Sequence, residues 1–243
     1  MSVTALLARY TRWLHTRWPA GSVEPLPEVA EDGSTRIPGL YVVGDLTGIP
    51  LLKFAADSGA QAVRTIAAAP AFARRERGSA LDLAIVGAGV SGMAAALEAR
   101  RLGLDFKLLE AAEPLSTIVN FPRAKPIYTY PSEMTPAGEL QFTAKVKEPL
   151  VEELRAQTLG AGLRVEPARV ERVVPRGAYL EVVLAAGASL LAHRVIVAIG
   201  RSGEFRRLGV PGEERDKVAN RLHDPRDFAG RRVLVVGGGD SAA

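Results

Sequence analysis

A group of glycines directly after an apolar run is the first feature of this sequence that could do chemistry. Gly87, Gly89 and Gly92 have the spacing GxGxxG, and the acidic residue Glu110 follows 23 residues after Gly87. Glycines at this spacing allow a tight turn, close approach of a pyrophosphate and close packing of a helix on a strand, and the acid accepts hydrogen bonds from a ribose. The pattern predicts a dinucleotide-binding site made of Gly87, Gly89, Val90, Ser91, Gly92 and Glu110.

Strands and helices are expected to alternate around these glycines. Short runs of apolar, β-prone residues predict strands at 40–43, 81–86 and 106–110, and helical patterns occupy 51–69 and 92–102. The right-handed crossover of a strand–helix–strand unit can lay its two strands parallel and adjacent. We therefore expect an α/β fold with a doubly wound parallel sheet, in which the strand ends before Gly44 and Gly87 are neighbours.

The pattern changes in the second half of the chain. A loop (111–138), a helix (140–159) and a strand (163–166) are followed by short β-rich runs at 170–174, 179–184 and 190–197. Glycine-containing turns between these runs predict an antiparallel meander inserted in the fold, and a last strand is expected at 232–236. The expected domain organisation is an N-terminal helix and loop (1–38), a main domain (39–205, with a linker at 70–80) and the start of a second domain (206–243).

Composition excludes several classes of function. The net charge is only +4 with scattered basic residues, so no nucleic-acid partner is expected, and the apolar stretch 182–192 is too short to span a membrane. The chain has no cysteine, which removes disulfides and thiolate-bound metals within it, and no metal site is predicted. An amphipathic helix predicted at 6–18 would pack on the body or on a partner subunit of a homodimer, with a membrane surface as the alternative. No signal-peptide core is present, so a cytoplasmic location is expected.

Further motifs carry a resemblance to a known family. The segment Gly39-Leu40-Tyr41-Val42-Val43-Gly44-Asp45, the segment Ala198-Ile199-Gly200-Arg201 and the crossover Leu208–Glu213 resemble those of the pyridine-nucleotide–flavin oxidoreductases, in particular thioredoxin reductase-like enzymes. The resemblance implies that FAD is bound, with its ribityl chain on Asp45 and its adenosine ribose on Glu110. It also implies contacts of the flavin dinucleotide with Gly44, Leu52 and Gly200, and residues near Asn120 and Phe121 would line the flavin.

A second nucleotide site is implied by the same resemblance. The run Gly237-Gly238-Gly239-Asp240-Ser241-Ala242 is similar to the opening of the family's nicotinamide-binding domain, a GxGxxA motif. NADPH or NADH would then contact Gly237, Gly239, Asp240, Ser241 and Ala242. The sequence ends directly after this motif, so we expect the apolar run Val233–Val236 to be exposed, mobile or borrowed by a neighbouring molecule. We also expect this chain alone to hold FAD without rapid reduction by NADH or NADPH.

Two departures from the family pattern are informative. The Gly44–Asp45 motif normally closes the chain but here precedes the Gly87 motif, which predicts a circular permutation, with a fusion to a preceding module as the weaker alternative. The region Asn220–His223 stands where thioredoxin reductases carry their Cys-x-x-Cys pair. The chain is therefore expected not to be a dithiol reductase by itself and to be closer to the thioredoxin reductase-like ferredoxin–NADP reductases.

The resulting hypothesis is an FAD-dependent NAD(P)H oxidoreductase that passes electrons to an external acceptor such as a redox protein. One alternative is a non-catalytic FAD-binding fragment or module of a larger assembly. The other is an NAD-dependent dehydrogenase using the Gly87 site, which leaves the Gly44–Asp45 motif unexplained.

Overall fold

The computed structural model describes residues 26–75, 78–201, 208–219 and 224–237. Seven strands belong to one sheet: β1 (Leu40–Val42), β2 (Leu81–Val86), β3 (Phe106–Glu110), β4 (Glu166–Pro167), β5 (Val170–Arg176), β6 (Tyr179–Leu184) and β7 (Ser189–Val197). The described α-helices are α1 (Leu52–Ala68), α2 (Pro70–Ala73), α3 (Val90–Arg101), α4 (Ser116–Val119) and α5 (Lys147–Gln157), and 3-10 helices cover Gly44–Thr47 and Pro225–Phe228. None of these helices is long and apolar enough to cross a membrane.

The sheet is parallel at its centre and antiparallel at one side. Its order is β4-β3-β2-β7-β6-β5, and β1 also pairs with β7. The strands β1 to β4 run parallel to their neighbours, whereas β5, β6 and β7 form an antiparallel meander. The predicted α/β class with an inserted meander is confirmed.

Strand β7 holds the sheet together because it pairs on both edges. One edge pairs with β2 from Ala192 to Val197. The other edge pairs first with β6, up to Ala192, and then with β1, from Val195. The prediction that the first two strands are adjacent is therefore wrong, since β7 lies between β1 and β2. A crossover helix fixes the direction of the next strand but does not prevent another strand from lying between the two.

Alternating side chains of the sheet belong to two apolar clusters. Leu83 and Ile85 of β2 pack with residues of α1, α3 and α5 on one face. Ala84 and Val86 belong to a second cluster with β6 and β7, on the other face. Successive side chains of a strand point to opposite faces of the sheet, so β2 contributes apolar residues to both clusters.

Some predicted boundaries were wrong. Helix α5 begins at Lys147 rather than at 140, because the backbone N–H groups of Gln141 and Thr143 donate to the side chains of Gln157 (3.0 Å) and Glu153 (2.9 Å) instead of entering a helix. The fourth strand is Glu166–Pro167 rather than 163–166, and short helices interrupt both the predicted loop 111–138 and the linker. The predicted N-terminal helix lies outside the described residues.

Candidate functional site

The Gly87 motif forms the turn between β2 and α3, and glycine is needed at each of its three positions for a different physical reason. Gly87 has φ +103°, and a Cβ on Gly92 would lie 1.8 Å from the carbonyl oxygen of Gly87. These two positions need glycine for the turn and for the packing of helix on strand. A Cβ on Gly89 would instead have its nearest neighbouring atom 3.9 Å away. The space at Gly89 is open, which is what the close approach of a ligand requires.

The start of α3 offers backbone donors to such a ligand. Gly89 is the N-cap residue, and no side chain caps the helix. The first N–H groups of an α-helix have no acceptor within the helix, and the helix dipole is positive there, so this end suits a phosphate. Val90 and Ser91 are buried as whole residues, with 8% and 5% of their surface exposed. Their contacts with a phosphate stay predictions.

Glu110 ends β3 beside the glycines. Its Oε2 accepts the N–H of Ala88 at 2.7 Å, and its Oε1 accepts the N–H of Ala112 at 3.0 Å. The carboxylate thus fixes the turn of the motif while it stays partly exposed. A carboxylate has about four acceptor positions, so Glu110 keeps capacity for the hydroxyl groups of a ribose.

The Gly44–Asp45 motif arrives at the same edge of the sheet. Val42 of β1 and Val86 of β2 both lie opposite Val197 of β7, on its two sides. Because the three strands are parallel, their carboxyl ends meet, and the segments that follow them meet too. These segments contain Gly44 and Asp45, the glycines of the Gly87 motif, and Ala198 to Gly200.

The turn at Gly44 rests directly on the Gly87 motif. Gly44 has φ +75°, and a Cβ there would lie 2.6 Å from Oγ of Ser91. Its N–H donates to Oγ of Ser58 at 3.0 Å, and Oγ1 of Thr47 donates to its carbonyl oxygen at 2.9 Å. Ser58 and Thr47 were missed by the sequence analysis, and a hydroxyl within the alanine-rich pattern of α1 was the signal for Ser58.

Asp45 is the ionisable group of this turn. Its side chain is half-buried, and burial raises the pKa of its carboxyl group, while the positive charge of Arg201 acts in the opposite direction. Arg201 directly follows Gly200, the glycine expected beside the flavin dinucleotide. Gly200 has φ +62°, and no atom lies within 4 Å of a Cβ placed there, so the space beside it is open.

Helix α1 packs closely on α3 and joins the two motifs. A Cβ on Gly59 of α1 would lie only 2.1 Å from the carbonyl oxygen of Ser91. Further along the pair, the buried carboxylate of Glu98 accepts hydrogen bonds from Arg64 of α1 at 2.6 Å and from Arg101 at 2.7 Å. These arginines hold the pKa of Glu98 below its usual value, with the hydrogen bond from Arg101 as the largest cause.

The other residues predicted to contact the flavin are not part of these contacts between the two motifs. Leu52 begins α1. Leu52 and Phe121 pack against the apolar cluster that Leu83 and Ile85 of β2 form with the helices. Asn120 ends the short helix α4. The buried Lys53 donates from Nζ to the carbonyl oxygens of Pro131 (2.7 Å) and Ser132 (3.0 Å), which ties the loop after α4 to the start of α1. The assignments of Leu52, Asn120 and Phe121 to the flavin stay predictions.

The second glycine motif is described only at its start. Gly237 is the last described residue, and Gly239, Asp240, Ser241 and Ala242 lie outside the described residues, as does the region Asn220–His223. The run before it, Val233–Val236, belongs to none of the described strands, and its four residues are 52% to 87% exposed. The prediction of a strand at 232–236 is therefore wrong for the structure described, because no described strand pairs with this run. The expected exposure of this run is confirmed.

Comparison with known proteins agrees with this geometry. Residues 84–243 match the family model described as pyridine nucleotide-disulphide oxidoreductase. Over 162 residues the chain is 31% identical to a ferredoxin–NADP reductase of Ignicoccus hospitalis, a match that covers 66% of this chain and 50% of the relative. Over 165 residues it is 30% identical to a thioredoxin reductase of Listeria monocytogenes, covering 66% and 47%. The chain thus spans about half the length of these relatives.

A solved structure supports the fold. The bacillithiol disulfide reductase of Staphylococcus aureus superposes with a TM-score of 0.56 at 19% identity, covering 68% of this chain and 52% of the other. The segment that carries Gly44 and Asp45 precedes the part that the family model matches, yet it contributes β1 to the same sheet. Because the family model matches well over half of the sequence, residues 84–243, the chain belongs to the pyridine nucleotide-disulphide oxidoreductase family.

Proposed function

We propose that this chain binds FAD along the edge where β1, β7 and β2 end, and that the whole protein is an FAD-dependent oxidoreductase driven by NADH or NADPH. The observation that carries the proposal is the contact between the two motifs: a Cβ on Gly44 would lie 2.6 Å from Ser91 of the Gly87 motif. One extended ligand can therefore reach both motifs, and a dinucleotide is such a ligand.

Each part of the site would have a defined task. The N-terminus of α3 and the open position Gly89 receive the pyrophosphate, since backbone N–H groups and the helix dipole favour a negative charge there. Glu110 accepts the hydroxyl groups of the adenosine ribose, and Asp45 accepts a ribityl hydroxyl. FAD itself would supply the hydride and electron transfer.

Residues 39–69 would then do the work that closes the chain in related enzymes, which makes the protein a circular permutation. Support comes from β1, which is parallel to β7 and contiguous with it in the sheet although the two strands are about 150 residues apart in the sequence. A simple fusion, in which residues 1–70 end a preceding module, would not require the close packing of Gly59 on Ser91.

The electron acceptor would be external to this chain. The sequence has no cysteine, so it contains no redox-active dithiol that could exchange electrons with the flavin. Electrons from the nicotinamide nucleotide would pass through FAD to a separate molecule, for which a redox protein is one class. The names of two relatives, ferredoxin–NADP reductase and thioredoxin reductase, each include a redox protein, which supports this class of acceptor.

Titration of the purified chain with FAD tests the proposal. We expect saturable binding, with a visible flavin spectrum that stays with the protein on gel filtration, and weaker binding by Glu110→Ala. A charge-assisted hydrogen bond is worth about 1.5–3 kcal/mol, so the loss should be roughly ten-fold or more. A chain that binds NAD and not FAD would refute the proposal and favour a dehydrogenase. Reduction by NADPH and NADH is then to be measured on the full-length gene product.

A further inference from the structure

A cavity lies at the fork where β7 exchanges one partner for another. On the edge of β7 that faces away from β2, the pairing with β6 ends at Ala192 and the pairing with β1 begins at Val195. His193 and Arg194 are the two residues between, where β6 and β1 diverge. We call the resulting space of about 290 Å³ the fork cavity; it is lined by Pro38, Gly39, Pro175, Gly177, Ala178, Tyr179, Leu180, His193 and Arg194.

The fork cavity is separate from the FAD edge. It lies at the beginning of β1, whereas Gly44 follows the end of that strand. Along β7, His193 precedes Ala198 by five residues, which in an extended strand is roughly 16 Å. Binding of a ligand in the fork cavity is therefore independent of FAD binding.

The charge of the fork cavity favours an anion. None of its lining residues, all of them described, is acidic. Arg194 is partly buried, and its Nη1 donates to the carbonyl oxygen of His193 at 2.7 Å. Within the described part of the chain, no carboxylate lies within 4 Å of its guanidinium, whereas the neighbouring Arg75 is paired with Asp82. A guanidinium has five N–H donors in a planar fork that matches a carboxylate.

The remaining donors of Arg194 are not fully buried. In the described part of the chain, no fully buried side-chain nitrogen or oxygen lacks a hydrogen-bond partner. The guanidinium nitrogens of Arg194 that have no acceptor among the described residues are therefore not fully buried. The guanidinium carbon lies 5.5 Å from the ring centroid of Phe72, and Arg194 lines the fork cavity. An anion that entered would meet donors that are already positioned and partly desolvated, which is the condition under which a charged hydrogen bond is strong.

The other walls contain two rings and several apolar residues. The rings of Tyr179 and His193 lie 4.9 Å apart between centroids at an angle of 53°. Leu180 and two prolines complete this side. At the ~30 Å³ that one water molecule occupies in the liquid, the volume holds a ligand of roughly ten non-hydrogen atoms. We propose that the fork cavity binds a small organic carboxylate, whose charged group pairs with Arg194 and whose flat body packs against Tyr179.

Benzoate and benzamide are matched probes for this site, because they share a ring and differ in charge. We expect benzoate to bind saturably in the millimolar range or below in calorimetry, and benzamide to bind at least ten-fold more weakly. In amide NMR spectra of the protein, benzoate should shift the signals of Gly39, Tyr179 and Arg194. Equal binding of the two probes, or no saturable binding of benzoate, would overturn the proposal with the unmodified protein alone.

A pair of variants tests the role of Arg194. Arg194→Met keeps the bulk of the side-chain stem and removes the charge, so benzoate affinity should fall at least ten-fold. Arg172→Met is the control, since Arg172 is exposed in the same sheet and, among the described residues, forms an ion pair with its neighbour Glu171 at 3.5 Å. This control should bind benzoate as the unmodified protein does. Unchanged benzoate binding by Arg194→Met, at an unchanged melting temperature, would contradict the assignment.

Discussion

Replacing Gly59 with alanine tests the packing of α1 on the Gly87 motif. In an open helix this change stabilises a protein by about 1 kcal/mol, because glycine has the greater freedom in the unfolded chain. Here the new Cβ would lie 2.1 Å from the carbonyl oxygen of Ser91 and 3.2 Å from the backbone nitrogen of Ala95. Both atoms belong to the backbone of α3 and cannot rotate away. The helices would have to separate by about 1 Å to restore an ordinary contact of roughly 3.3 Å.

The expected result is therefore a loss of stability where a gain is usual. Overpacking costs about 1–3 kcal/mol and sometimes more, and a contact of 2.1 Å with backbone atoms belongs at the upper end of this range. A cost of about 3 kcal/mol, less the gain of about 1 kcal/mol, leaves a net loss of roughly 2 kcal/mol. For a chain of this length, the melting temperature should fall by about 4–8 °C in calorimetry. Gln61→Ala, on an exposed position of the same helix, should change it little. A Gly59→Ala protein that melts at or above the temperature of the unmodified chain would refute the close packing.

Three further predictions concern other parts of the site. Gly89→Ala should leave the melting temperature of the FAD-free chain within about 2 °C, because the position is open, but should weaken FAD binding at least ten-fold by fluorescence titration. Ser58→Ala should cost about 1–3 kcal/mol in denaturant unfolding, since the N–H of Gly44 loses its acceptor. The pKa of Glu98 is lower in the folded chain than in the unfolded chain, where it is about 4.3. The ionised Glu98 carboxylate therefore stabilises the fold above that pH, and this stabilisation is lost as the pH falls through the folded-state pKa. Glu98→Gln should flatten this acid dependence of stability in thermal melts.

Local patterns predicted the parts of the fold that are made by neighbouring residues. The turn from β2 through the glycines into α3 is specified within about a dozen residues, and the strand carrying Glu110 follows directly. The position of β1 is not local, because it depends on pairing between Leu40 and Val195. The sequence predicted that β1 and β2 are parallel and end at one edge, and could not predict which strand lies between them.

The same limit explains the site residues that were missed. Ser58 binds Gly44 across 14 positions, and Arg201 affects Asp45 across more than 150. Neither partner is indicated by its own neighbours in the sequence. The prediction that a helix begins at 140 was wrong for a related reason. Leu140 and Phe142 are apolar residues that are buried without being helical, so their pattern did not distinguish a helix from a buried loop. Their backbone neighbours bond to side chains of α5 rather than to a helix of their own.

The thermal melting of Asp45→Asn with and without FAD tests the central claim most directly. Burial raises the pKa of Asp45 in the folded chain, so the ionised carboxylate opposes folding at neutral pH, and stability falls as the pH rises through that pKa. Removing the charge should therefore raise the melting temperature of the FAD-free chain. The same change should reduce the stabilisation by FAD, since a charge-assisted bond of about 1.5–3 kcal/mol is lost. An FAD-induced shift as large as that of the unmodified chain would show that the Asp45 carboxylate does not hold the flavin, and would contradict a flavin site built on the Gly44–Asp45 motif.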